Sequence, residues 1–142
     1  MEKWLGPWAS QIHAITRILA GIMFACHGAQ KLFGAFGGVQ GAMPAPMLYT
    51  AGGIEFFGGL LIAVGLYTSW AGFLSSGLMA AAYFMAHAFA SDPPRFPGQG
   101  SFWPIQNGGE LAILYCWLFL GYAASGAGTW SLDEMMGRGR KA

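Results

Sequence analysis

The chain has 142 residues, of which 9% are charged and 55% hydrophobic, with a formal net charge of +1. An ordinary soluble domain is about 25% charged, so this chain has too little polar surface to cover a water-soluble bundle. The near-neutral balance gives no basic face for nucleic acid and no strong field to steer a charged substrate. The apolar residues fall in four blocks, and glycine, which soluble helices tolerate poorly, occurs 23 times. The expectation is an all-α membrane protein: a four-transmembrane-helix up-down bundle forming one integral membrane domain over residues 1–142.

Residues 1–11, MEKWLGPWASQ, lack the basic region, short apolar core and small-residue site of a secretory leader. Trp4 and Trp8 suit a bilayer interface, and Pro7 and Ser10 mark the approach to a helix. The first span is expected at 12–33. Arg17, near its start, is expected to snorkel to the headgroups. His27 and Lys31, four residues apart, share a face near its far end, with Gln30 at similar depth. Gly21 and Gly28, seven apart, form a face where another helix can approach closely. Residues 34–48, GAFGGVQGAMPAPML, are a turn-rich, uncharged connector expected at, or dipping into, the interface.

The second span, 48–67, is the centre of the reading. Within YTAGGIEFFGGLLIAVGLY, residues 49–67, the one ionisable side chain inside the apolar run is Glu55. It lies about 10 Å into the helix. A carboxylate facing hydrocarbon is expensive, so Glu55 must face protein or water, or be protonated. Gly52, Gly58 and Gly59 surround it. The short connector 67–70 makes the second and third spans antiparallel neighbours, with Thr68 and Ser69 as candidate caps. The third span, 70–90, carries a small-residue seam (Gly72, Ser75, Ser76, Gly77, then Ala80, Ala81 and Ala82) and places Tyr83 and His87 on one face near its end. In the polar break 91–108, Pro93, Pro94, Pro97 and Pro104 exclude a continuous helix. Phe102 and Trp103 read as interfacial anchors. Asn107 is expected to cap the fourth span, 108–124, with Glu110 reaching back in a capping box. Residues 125–129 are a glycine-broken end, and 135–142 a basic tail.

Lys3, Arg17, Arg138, Arg140 and Lys141 lie on the side of the termini, against Lys31 and Arg95 opposite. The positive-inside rule therefore places both termini in the cytoplasm. The outward ends of the spans then hold His27 and Lys31, Glu55, His87 and Glu110, with Gln30, Tyr83, Gln106 and Asn107 close in depth. A polar pocket of this kind can hold the polar head of a quinone or another small ligand and pass protons through Glu or His. Glu55, His27 and Lys31 are its candidate reactive residues, and Gln30, His87, Asn107, Glu110 and Tyr83 its candidate ligand-binding residues. Glu55 with Lys31, or Glu110 with His27 or His87, are the plausible ion pairs. The competing reading is a network that only fixes the order and rotation of the helices. No His-x-x-x-His or Glu-x-x-His spacing supports a metal site. Cys26 and Cys116 fall at similar depth, as a thiol pair or as small packing residues.

The stretches RILAGIMFACHGAQKLFGAFGG (17–38), GGIEFFGGLLIAVGLYTSWAG (52–72), AAYFMAHAF (81–89) and FWPIQNGGELAILYCWLFLGYAASGAGTWSLD (102–133) resemble the DoxX family. Arg17, His27, Gln30, Lys31, Glu55, Asn107, Gly108, Gly109 and Glu110 match its recurring polar and glycine pattern. Ser69 stands where members often carry a basic residue. The resemblance implies a multi-pass protein of the bacterial or archaeal plasma membrane. It also implies a role in a quinone-linked redox complex, in sulfur-compound oxidation or redox homeostasis, working with a partner redox subunit. The chain itself has no flavin, iron–sulfur or nucleotide motif. A non-catalytic membrane assembly protein, packing its glycine seams on other subunits, is the alternative. A small transporter, requiring a homo-oligomer, is the third.

Overall fold

The computed structural model describes residues 1–39, 43–89 and 98–138. Gly41, the prolines Pro93, Pro94 and Pro97 with Arg95, and Arg140 and Lys141 of the tail lie outside the described residues.

All regular structure among the described residues is helical, and four long helices form the bundle. Helix α1 is Ala9–Phe33, reached through the short helix Glu2–Leu5 and a 3-10 turn, Gly6–Trp8, that holds Pro7. The entry expected to be merely interfacial is thus already helical, because Pro7 occupies a first-turn position where its missing N–H costs nothing. Helix α2 runs Ala45–Val64 with a π-helical segment, Ile54–Gly58, in its middle. It starts and stops about one turn earlier than expected, with Pro44 before its first turn and Gly65 at φ +71° as its left-handed stop. Helix α3 is Thr68–Ala82, continued by a second π-segment, Tyr83–Ala88. Helix α4 is Glu110–Ser125. By length and composition, Glu2–Phe33 and Ala45–Val64 are long and apolar enough to cross a membrane, and Glu110–Ser125 is apolar but shorter.

Close packing joins α1 to α2 and α3 to α4. Small residues permit it. A Cβ on Gly21 would lie 2.5 Å from the Ala63 nitrogen, and one on Gly59 2.5 Å from the Ala25 nitrogen. On Gly72 it would meet the Phe119 carbonyl of α4 at 2.8 Å. The α1–α4 seam is filled instead by rings: Phe24 meets Phe119 at a centroid distance of 4.6 Å, and Tyr115 stacks on Phe119 at 5.2 Å. The outward faces are apolar, with Leu19, Phe73, Leu114 and Trp117 exposed, as suits a lipid-facing surface.

Several expectations are corrected at the end of the bundle where residues 129–133 pack beside the start of α1. Arg17 does not snorkel; it is fully buried (0% exposed). Its Nη1 donates to the Ile62 and Ala63 carbonyls at 2.6 and 2.7 Å, and Nη2 to the Trp130 carbonyl at 2.8 Å. The guanidinium thus satisfies the orphan carbonyls at the C-terminus of α2, where the helix dipole favours a cation. Nor do Thr68 and Ser69 cap α3. The Asp133 carboxylate accepts from the Tyr67 and Thr68 N–H groups at 2.9 and 3.0 Å, while the Asp133 N–H donates to the Gly65 carbonyl. Thr129 Oγ1 donates to the Ser10 carbonyl at 3.1 Å, which ties the chain's last segment to the start of α1.

Candidate functional site

Lys31 sits in the last turn of α1, about 21 Å along the helix from Arg17. Gly28 and Gly52 bring α2 against it: a Cβ on Gly28 would collide with the Phe56 backbone, and one on Gly52 would lie 3.0 Å from the Lys31 Cβ. Glu55 lies in the π-segment, which fits an extra residue into the turn and re-aims its side chain. The Lys31 Nζ meets Glu55 Oε2 at 2.5 Å, with the Lys31 side chain 16% exposed and Glu55 4% exposed. The sequence-derived pair is present, and neither charge faces the outer surface of the bundle.

The pair separates two cavities. One, of about 240 Å³, is lined by His27, Lys31, Glu55, His87, Tyr115 and Gly108 together with Phe24, Met79, Ala82, Leu111 and Ala112. The other, of about 430 Å³, lies between α2 and α3 and is mainly apolar. Lys31, Glu55, Met79 and Ala82 line both.

His27 presents its ring edge-on to Tyr115 at 6.4 Å and has no hydrogen-bond partner among the described residues. His87, in the second π-segment, has Nδ1 2.9 Å from the Asn107 carbonyl. A carbonyl only accepts, so Nδ1 carries the hydrogen. The Tyr115 hydroxyl is buried and has no hydrogen-bond partner among the described residues. The Thr68, Ser75 and Tyr122 hydroxyls are buried and unpaired in the same way, so this feature is not peculiar to the cavity. Tyr115 was not singled out in the sequence. Its signal is faint: it is one of two phenols, with Tyr122, in the apolar run of α4.

Other expected site residues serve the frame. Asn107, fully buried, donates from Nδ2 to the Ser101 carbonyl at 2.7 Å and accepts the Gly109 N–H on Oδ1 at 2.8 Å. It lies inside the short helix Pro104–Asn107, and Gly109, without a side-chain cap, precedes α4. The capping box therefore does not form, and Glu110 is exposed and lines neither cavity. Tyr83 donates to the Phe102 carbonyl and lines a separate apolar cleft beside α4. Gln30 donates to the Gly38 carbonyl at 2.8 Å and holds the glycine turn after α1. Cys26 and Cys116 are both free thiols, with Cys116 Sγ 3.5 Å from Ser76 Oγ. Among the described residues no three His, Cys, Asp or Glu side chains converge on a metal position.

The Lys31–Glu55 layer and the glycines that permit it fall within residues 12–88, and these match the family described as DoxX over more than half of the chain. The chain is also similar to a protein of Haemophilus influenzae described as an uncharacterized protein. The two are 44% identical over 125 residues, covering 85% of this chain and 87% of that one. No solved structure matches. On these matches and on its apolar helices, the chain belongs to the DoxX family of membrane proteins.

Proposed function

We propose that the protein is the small membrane subunit of a quinone-linked redox complex, with the polar cavity as the site of the quinone head. The observation that carries the reading is the largely sheltered Lys31–Glu55 pair on a wall shared with His27 and His87. The donor set suits a ring with two carbonyl oxygens. The Lys31 ammonium is a donor at the cavity wall, and Glu55 and His27 are groups that can hold a proton beside it. A bound quinone would supply the two-electron chemistry. Residues of this chain would bind the ring, orient it, and hold protons at Glu55 Oε2 and the His27 ring. Electrons would come from a partner redox subunit, in sulfur-compound oxidation or redox homeostasis.

In this reading all four long helices cross the plasma membrane and both termini face the cytoplasm, supported by Lys3 and the basic tail. The assembly alternative loses part of its support, because Gly21, Gly28, Gly59 and Gly72 are consumed by packing within the chain. Native mass spectrometry of the protein, gently extracted from its own membrane, tests the proposal. The expected result is a bound quinone-sized mass that disappears in Glu55→Gln while the bundle stays folded. Protein without that mass, held to a partner subunit, overturns the quinone site and favours the assembly role.

A further inference from the structure

The polar cavity, at about 240 Å³, lies below the roughly 300–1,000 Å³ usual for small-molecule pockets. That volume suits a ring, and a chain attached to it must extend beyond the cavity. The cavity between α2 and α3, at about 430 Å³, begins at the same ion pair and runs outward between Met47, Thr50, Ala81 and Ala86 to the exposed Met85 (63% exposed). Its wall is apolar beyond Lys31, Glu55 and Thr50. Alanines lower the α3 side, and methionines, flexible and polarizable, suit a chain of variable shape. Two further clefts adjoin the polar cavity, but neither reaches the charges: the α1–α4 groove shares Leu111 and Tyr115 with it, and the α3–α4 cleft only Met79.

We propose that the α2–α3 cavity is the lateral entry and chain-binding subsite of the protein. Its ligand is then an amphiphile, a hydrogen-bonding ring carrying a single isoprenoid or acyl chain, that enters sideways from the bilayer. The proposal rests on the polar cavity being the head site. The ring passes the Lys31–Glu55 pair and lodges beside His27 and His87, while the chain remains between α2 and α3. A water-soluble ligand would gain nothing from this second cavity.

The test uses the full chain in nanodiscs and three probes: a benzoquinone without a chain, the same ring with a decyl chain, and decanol. Wild type is expected to bind the decyl-bearing ring tighter than the bare ring by about tenfold or more, the effect of burying several methylenes. Ala86→Trp, whose side chain fills only the chain cavity, is expected to remove that advantage and leave bare-ring affinity unchanged. Thr50→Trp, at the exposed rim, repeats the measurement if Ala86→Trp does not fold. An advantage that survives in the folded variant, or equal binding of both rings to wild type, overturns the lateral subsite. Binding of decanol that Ala86→Trp abolishes, with neither ring bound, sustains the chain subsite and removes the quinone reading. Binding of none of the probes removes both.

Discussion

At the scale of single residues, the chain handles a fully buried cation and a partly buried one in opposite ways. Arg17 is held by three backbone carbonyls, a fixed arrangement that ties α2 to the C-terminal segment. Lys31 has a carboxylate partner and borders two cavities, so its surroundings can be changed by what enters them. Removing one member of a buried ion pair leaves an uncompensated charge, at a cost of about 3–5 kcal/mol, whereas replacing both by apolar groups is often neutral. Lys31→Met is therefore expected to lower the unfolding free energy of the detergent-solubilised protein by about 3 kcal/mol, the low end of that range, because the Lys31 side chain is 16% exposed. The double variant Lys31→Met/Glu55→Met is expected to recover most of that loss and still to bind no ligand. If the double variant is as unstable as the single one, the pair is an organiser of the fold rather than part of a site. Glu55→Gln retains a side chain that can accept from Lys31, which makes it the milder probe of binding.

At the scale of elements, glycine placement and π-segments build the site. Gly21, Gly28 and Gly59 let the α1 and α2 backbones meet, and that contact brings Lys31 Nζ within 2.5 Å of Glu55. Gly59→Leu places carbon against the Ala25 nitrogen and the Gly21 carbonyl, backbone atoms that cannot turn aside. It is expected to destabilise by roughly 3 kcal/mol or more, at the upper end of overpacking effects. Gly77→Ala, where a Cβ meets nothing within 4 Å, is the control, expected to be neutral or slightly stabilising in the same unfolding assay. Both residues that enter the polar cavity from α2 and α3 with ionisable side chains, Glu55 and His87, lie in π-segments. Regular α-helix would turn these side chains to other directions.

At the scale of the molecule, the polar groups separate into two ends. Arg17, Asp133 and Ser10 lock the end that holds residues 129–133; Lys31, Glu55, His27 and His87 line a cavity toward the other. Orientation in the membrane is checked by thiol labelling in a background with Cys26→Ala and Cys116→Ala. On spheroplasts, a membrane-impermeant maleimide is expected to label Ile105→Cys, and to reach Met135→Cys only after permeabilisation. The reverse pattern inverts the topology, and labelling of both from outside breaks the four-span arrangement. Much of this plan was legible in the chain. Four apolar blocks, the Gly21 and Gly28 face, and Glu55 with Lys31 as its partner all follow from local arguments about transfer into hydrocarbon and helical spacing. Glu110 misled, because a capping-box pattern near a glycine pair is equally compatible with Gly109 preceding the helix and Glu110 facing outward. Arg17 misled for another reason: its third acceptor, the Trp130 carbonyl, is distant in sequence, and no local pattern reveals it. Tyr115 was missed because an aromatic in an apolar helix reads as packing. By itself the sequence determined the solvent of the helices and the need to shelter Glu55, since both are properties of side chains and their transfer between media. Only the tertiary structure decided which polar groups are consumed by the frame and which are left facing a cavity, because that depends on helix rotation, π-turns and the close approach of backbones.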